Sequence, residues 1–271
     1  MYIVKVPGTN SLDNSEGCQK AGNAILNELK KIEVNEQGKL INFDNLELEE
    51  IHLDNKNLKL TNKLIYENAF KDFQEKPKII FLGGDHFISY SLTRAFLDYC
   101  ENEGKKPCLI VFDAHADCFS LKDSKEVNNR NWLRNLIEEG FPAENILLVG
   151  MRRYSKEEAQ FLREKGIRIV SINQLRLDLE DSCDVLMEFS NGKELYVSLD
   201  IDVLDPAFAP ATDLIEPGGL TSREIVYLFQ RVSKIKLLKA VDIVEINIEK
   251  DKNYRDLTVK LGAKIVSELL S

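Results

Sequence analysis

The stretch VFDAHADC, Val111 to Cys118, sets Asp113, His115 and Asp117 at alternate positions directly after an apolar run. Alternate residues of a strand running into its loop can face one side, so two acids and an imidazole there offer a set of metal ligands. Two further apolar runs end in the same chemistry: IIFLGGDH delivers His86, and LYVSLDID delivers Asp200 and Asp202. The chain has only 3 histidines, so the use of two of them in such places is informative. Crowded on one rim, the carboxylates would repel one another and shift toward their neutral forms, whereas divalent cations would hold them ionised. Two metal ions are the economical explanation. Singly, GGDH also suits a turn with an aspartate helix cap, and a strand-end acid is often an N-cap. Together, DxHxD and DxD after separate strands serve no packing purpose.

Such residues need elements that bring them to one place. Short apolar runs recur, each closing on a glycine, serine or acid: IIFL before Gly83, LIVF before Asp113, ILLV before Gly150, IRIV before Ser171, LYVSL before Asp200 and AVDIV before Glu245. They read as buried parallel strands. Between them, Ser89 to Tyr99, Asn131 to Glu139, Lys156 to Lys165 and Ser222 to Ser233 carry apolar residues at helical spacing. The alternation predicts an α/β fold with a mostly parallel sheet, in which ligands gather outside the carboxyl ends of the strands. The polar stretch Asn35 to Asn45 reads as a surface excursion before a strand-like run, LELEEIHL, whose His52 has no ligand pattern around it.

With 44% hydrophobic residues, 271 residues can bury one sizeable core, so one domain over residues 1–271 is expected. Scattered basic residues and a net charge of −9 speak against nucleic acid and acidic membrane surfaces as partners. MYIVKVPGTN lacks the pattern of an export signal and no apolar run is long enough to span a bilayer, which predicts a soluble, cytoplasmic protein. The 5 cysteines form no CxxC pair and read as reduced thiols.

GGDH, DAHAD, SLDIDVLDPAFAP, EPGGLT and AVDIVEIN, in that order from Gly83 to Asn247, resemble the successive signatures of the ureohydrolase superfamily, which comprises arginase, agmatinase, guanidinobutyrase and formimidoylglutamase. The resemblance implies a single three-layer α/β/α domain, two Mn2+ ions per chain, and hydrolysis of a guanidino or amidine C–N bond, usually releasing urea. It implies Asp113 and Asp200 as bridging ligands, His86 and Asp117 completing one site, and His115 and Asp202 the other. Other divalent transition metals would accept the same donors. Water activated between the ions would be the nucleophile. Glu245 matches the acid that grips the cationic substrate, for which a carboxylate suits paired N–H donors. Homo-oligomers, trimers or hexamers, are common among such proteins.

The chain departs from this pattern in the loop after DAHAD. CFSLKDSKEVNNRNWLRNLIEEG contains no histidine where arginases and agmatinases carry a proton shuttle, and Asn129 stands at or near that position, with Asn128 and Asn131 as alternatives. An amide is no general acid at neutral pH. APATDLIEPGG replaces a Gly-Thr-Gly-Thr-Pro type of run, and Arg152 and Arg153 stand where arginase presents acids to its substrate, which suits a distal carboxylate or a solvated pair. Asp205, Pro206, Gly218 and Gly219 read as turn architecture, and Cys118 and Trp132 as core. The competing readings are a weakly active or non-catalytic metal-binding homologue, a formimidoylglutamase-like hydrolase, and a deacetylase-like enzyme. The last typically carries adjacent histidines, and this chain has none.

Overall fold

The structure, a computed structural model, describes residues 2–10, 15–120 and 126–270. Within them eight strands form one sheet, all pairs parallel: β1 Tyr2–Val6, β2 Glu47–Glu50, β3 Ile79–Gly83, β4 Pro107–Phe112, β5 Ile146–Val149, β6 Arg168–Val170, β7 Glu194–Asp200 and β8 Leu238–Val244. Their order is β2-β1-β3-β8-β7-β4-β5-β6. The central strands are apolar on both faces because both are covered. Ile80 and Leu82 of β3 and Cys108, Ile110 and Phe112 of β4 belong to one buried cluster, while Ile79, Phe81, Leu109 and Val111 belong to the other. This period-two alternation within a continuous hydrophobic run is the signature of a parallel sheet between helical layers.

One layer holds α1 Ala21–Leu29, α6 Ile172–Leu177, α7 Leu179–Ser190, α8 Ser222–Val232 and α10 Leu257–Leu269, which contribute Ile25, Leu175, Leu186, Phe229 and Ile265 to the first cluster. The other holds α2 Leu58–Glu75, α3 Ile88–Asn102, α4 Trp132–Glu138 and α5 Lys156–Lys165, which contribute Phe73, Phe96, Leu136 and Phe161. A short helix, α9 Ile248–Asp251, follows β8. The expected α/β/α layering is therefore present. Starts of helices are set by their own side chains: Ser155, Ser171 and Thr221 form capping boxes with Glu158, Gln174 and Glu224.

The six strands and four helices expected from pattern are all present, with ends moved by up to three residues, and LELEEIHL supplies β2. Strand β1 and helices α1, α2, α6, α7, α9 and α10 add to them. No helix among the described residues is long and apolar enough to cross a membrane.

Glycines set the closest approach at the rim. A Cβ on Gly84 would lie 1.9 Å from the Gly8 carbonyl oxygen, and one on Gly219 within 2.6 Å of the backbone of Val203, Leu204 and Asp205. Neither backbone neighbour can turn away as a side chain would. Gly84→Ala should therefore lower stability by about 1–3 kcal/mol, the range for overpacking a tight site. Urea unfolding measures this, and an unchanged midpoint would show that the β1 and β3 ends can part without cost.

Candidate metal centre

Strands β3, β8, β7 and β4 are neighbours, so their carboxyl ends bring four segments to one rim: GDH after β3, Glu245 after β8, Asp200 and Asp202 at the end of β7, and DAHAD after β4. Here the six predicted ligands converge. His86 Nδ1 lies 3.1 Å from Asp113 Oδ2, 3.0 Å from Asp117 Oδ2 and 3.3 Å from Asp200 Oδ2. His115 Nδ1 lies 2.8 Å from Asp202 Oδ2 and 3.5 Å from Asp113 Oδ1. Two donor groups able to hold a metal ion result, His86 with Asp113 and Asp200, and His115 with Asp113 and Asp202, and they share Asp113.

Backbone geometry aims the carboxylates. Asp113 Oδ1 accepts the His115 N–H at 2.6 Å, Asp200 Oδ1 the Asp202 N–H at 2.8 Å, and Asp202 Oδ1 the Ala114 N–H at 3.0 Å. Asp200 and Asp202 thus spend one oxygen on the loop and turn the other to a histidine, while Asp113 faces His86 through Oδ2 and His115 through Oδ1. Asp117 and Glu245 adopt left-handed backbone conformations, with φ of 48° and 65°. Both are non-glycine residues in a sparsely populated region, and such strain concentrates at functional sites.

A second layer of buried polar groups fixes the histidine. His86 Nε2 lies 3.0 Å from Ser198 Oγ, whose hydroxyl donates to Asp242 Oδ1 at 2.7 Å. Tyr196 and Ser89 donate to Asp242 Oδ2. With Ser198 Oγ donating onward, Nε2–H donates to it, so Nδ1 is the nitrogen turned toward the carboxylates. That Nδ1 is buried and makes no hydrogen bond. A buried imidazole nitrogen without a hydrogen bond, ringed by three carboxylate oxygens, fits a divalent cation.

The electrostatics say the same. Burial pushes the Asp200 carboxyl well above its ordinary value, with Asp202 and Asp113 adding to it, and burial and Asp113 push Asp117 up to about 6. Burial works against charge on His115, but Asp113 and Asp202 outweigh it and raise its pKa to about 12. His86 is raised in the same way by Asp113, Asp117 and Asp200. By its own groups alone, the site balances carboxylates with protonated imidazoles.

Glu245 Oε1 accepts the His86 backbone N–H at 2.8 Å, and its carboxylate lines a narrow cleft with Asp200, Asp202, His115, Asp117, Asn129, Thr212 and Asp213, with Arg130 and Leu214 also on its wall. Burial, then Asp200 and Asp85, push its pKa well above the usual range. Asn129 is buried in that cleft and its Oδ1 accepts Asn10 Nδ2 at 3.1 Å. Asn128 and Asn131 instead bond within their own turn and to the start of α4. Residues 121–125 of the histidine-free loop lie outside the described residues.

Three expectations gain detail. Trp132 is fully buried, and its Nε1 also donates to Asp117 Oδ2 at 2.9 Å, so it orients a candidate ligand. Cys118 is a buried thiol whose N–H donates to Glu158, tying the DAHAD loop to the start of α5. Asp205 accepts the Ala207 and Gly218 N–H groups, as turn architecture requires. The arginines separate. Arg152 donates to the carbonyls of Asp202, Val203, Leu204, Glu216 and Pro217, which ties its guanidinium to the loops around the rim. Arg153 pairs with Glu216 at 2.9 Å and lines an outer cavity of about 330 Å³ with Arg130, Tyr154, Phe119 and Leu214. His52 is exposed, 4.0 Å from Glu50. Ser198, Asp242 and Asp213 were not among the expected site residues. Polar letters inside YVSLD and AVDIV were the available signal for the first two.

A parallel α/β sheet with paired His/Asp donor groups at its carboxyl rim is the structural class. Residues 1–271 match the model of the arginase family, and the chain belongs to that family. It is 32% identical over 211 residues to Arginase 1, mitochondrial, of Arabidopsis thaliana, covering 76% of this chain and 58% of that protein. It is 30% identical over 190 residues to N(1)-aminopropylagmatine ureohydrolase of Thermus thermophilus, covering 69% of this chain and 61% of that protein. The chain thus matches about three fifths of these relatives' length. Its fold superposes on formimidoylglutamase from Bacillus subtilis with a TM-score of 0.90 at 22% identity, over 99% of this chain and 85% of that one.

Two measurements check the centre. Ser198→Ala removes the acceptor of His86 Nε2–H and should weaken manganese binding about 10- to 100-fold, as loss of an outer partner does. Asp113→Ala removes the carboxylate common to both groups, so metal analysis should show both ions lost together. Full manganese content in Asp113→Ala would refute the shared ligand. Uptake must also displace protons from the raised imidazoles and carboxyls, so manganese loading in weak buffer should acidify the solution and affinity should rise with pH.

Proposed function

We propose that the protein is a binuclear metal-dependent hydrolase of a guanidino or amidine C–N bond, with His86, Asp113, His115, Asp117, Asp200 and Asp202 as ligands in a single domain spanning residues 1–271. The observation that carries this reading is the sharing of Asp113 by two adjacent donor groups, with Glu245 facing the same cleft. Manganese is the expected metal: hard oxygen donors with one imidazole per site suit it. When bound, such a pair supplies Lewis acidity that makes water a nucleophile near neutral pH.

The chain's own residues account for the rest. Ser198 and Asp242 hold His86 in the tautomer that offers Nδ1 inward. Trp132 fixes Asp117, and the backbone N–H groups of Ala114, His115 and Asp202 fix Asp202, Asp113 and Asp200. Glu245, held through Oε1 by the His86 N–H, presents its carboxylate to the planar cationic end of the substrate, orienting the amidine carbon toward the ligands. Asn129 can hydrogen-bond substrate through its amide but cannot deliver a proton to the leaving nitrogen.

The relatives include an arginase, an aminopropylagmatine ureohydrolase and a formimidoylglutamase by name, so the reaction class is common to them and the substrate is not. The deciding experiment is urea and ammonia release by the manganese-loaded protein from arginine, agmatine, guanidinobutyrate, guanidinopropionate, guanidine and formimidoylglutamate. No release from any of these would favour a non-catalytic metal-binding homologue.

Glu245→Gln keeps the shape and removes the charge, so kcat/KM should fall by the equivalent of about 2–5 kcal/mol, with metal content unchanged. Kinetics equal to those of the unmodified protein would rule out the gripping role. Asn129→His should raise turnover of a guanidino substrate about 100- to 10,000-fold if it restores a general acid, and add a limb near pH 6.5 to the pH profile. A flat response would assign Asn129 to substrate contact alone.

A further inference from the structure

Asp213 lies in the loop APATDLIEPGG, which departs from the pattern the rest of the chain follows. Its side chain is only 2% exposed. Oδ1 is fully engaged, by Lys250 Nζ at 2.6 Å and Asn247 Nδ2 at 3.0 Å. Oδ2 is buried and has no hydrogen-bond partner. Lys250 also donates to the Thr212 carbonyl at 3.1 Å, and the Asn247 N–H to that of Ala211 at 2.9 Å. Segment 211–213 is therefore pinned to the chain just after Glu245, which fixes Asp213 relative to that glutamate. One carboxylate oxygen of each lies within 4.8 Å of the other and of the buried Cys18 thiol, and both acids line the cleft that contains Asp200 and Asp202.

A buried carboxylate oxygen without a donor costs free energy, and so do two carboxylates this close together. Lys250 answers one oxygen of one of them. A flat cation with N–H groups along more than one edge answers the rest, because it can donate to both carboxylates at once.

We propose that Asp213 is a second substrate-binding carboxylate, which with Glu245 grips an amidinium or guanidinium group, while Lys250 and Asn247 act as its positioning residues. This rests on the reading of the site as an amidine hydrolase and adds to it a residue that sets selectivity for charge. The pair favours a planar cation over a neutral group of the same shape, such as an amide or urea.

The test is competitive binding of acetamidinium, guanidinium and urea to the manganese-loaded protein. The unmodified protein should prefer the cations to urea, and Asp213→Asn should cut that preference about 10- to 100-fold, the worth of a hydrogen bond to a charged group, while manganese content stays the same. Asp213→Ser, smaller and also uncharged, should give the same loss and serves where the asparagine variant folds poorly. An unchanged preference in both variants, with Glu245→Gln abolishing it, would overturn the role of Asp213 and leave the hydrolase reading standing. No preference in the unmodified protein, and none altered by Glu245→Gln, would overturn both. Loss of manganese from Asp213→Asn would make Asp213 a metal ligand and likewise overturn the proposal.

Discussion

Mutual repulsion among the buried acids at the carboxyl rim is the constraint around which the structure is arranged. Asp113, Asp117, Asp200, Asp202 and Glu245 are all buried there, at separations where like charges strongly disfavour joint ionisation. A protein tolerates this only if each carboxylate is held by donors and if positive charge sits among them. Backbone N–H groups supply the first. Imidazoles, and metal ions in the proposed function, supply the second. The sheet provides the placement, since parallel strands end together and their loops can converge as no antiparallel meander would allow.

Rigidity comes from outside the rim. Asp242 is fully buried within β8 and takes three hydroxyl hydrogen bonds, from Ser89, Tyr196 and Ser198. A fully satisfied buried network of this kind fixes geometry more than it adds stability. It reaches His86 through a single hydroxyl, so one serine links the core of the sheet to the donor set. Arg152 performs a similar task above the sheet, drawing the carbonyls of the DxD loop and of Glu216 and Pro217 around one guanidinium. Two loops that sequence leaves independent are thereby joined.

The convergence of the candidate ligands was legible because chemistry forced unusual letters into fixed places: acids and histidines directly after apolar runs, at alternate positions. The layers were legible from the apolar runs themselves. Strand order was not, because a run of four apolar residues says it is buried and not beside what. The YIVKV strand carries too little pattern to stand out at five residues, and α10, LTVKLGAKIVSEL, follows no motif that would draw attention to it. Sequence leaves Arg152 and Arg153 a pair that suits a distal carboxylate or solvent alike, because adjacent arginines look the same there, and only geometry reveals that one of them faces five carbonyls. Ser198, Asp242 and Asp213 have the same explanation in reverse. Their importance depends on partners 44, 112 or 37 positions away.

The place of β8 also bears on the order in which the molecule can be assembled. It is the last strand among the described residues, yet it lies between β3 and β7, near the middle of the sheet. During synthesis, β3 and β7 emerge first and cannot pair with each other in the final register, because a strand not yet made must come between them. Each waits with an unpaired edge, the feature that invites pairing with other chains. Glu245, and the anchors of Asp213 just beyond it, arrive with that same late strand. Because β8 also joins β3 to β7, His86 comes beside Asp113 and Asp200 only when that strand docks, so the His86 donor group and the cleft lined by Glu245 are completed in the same late step.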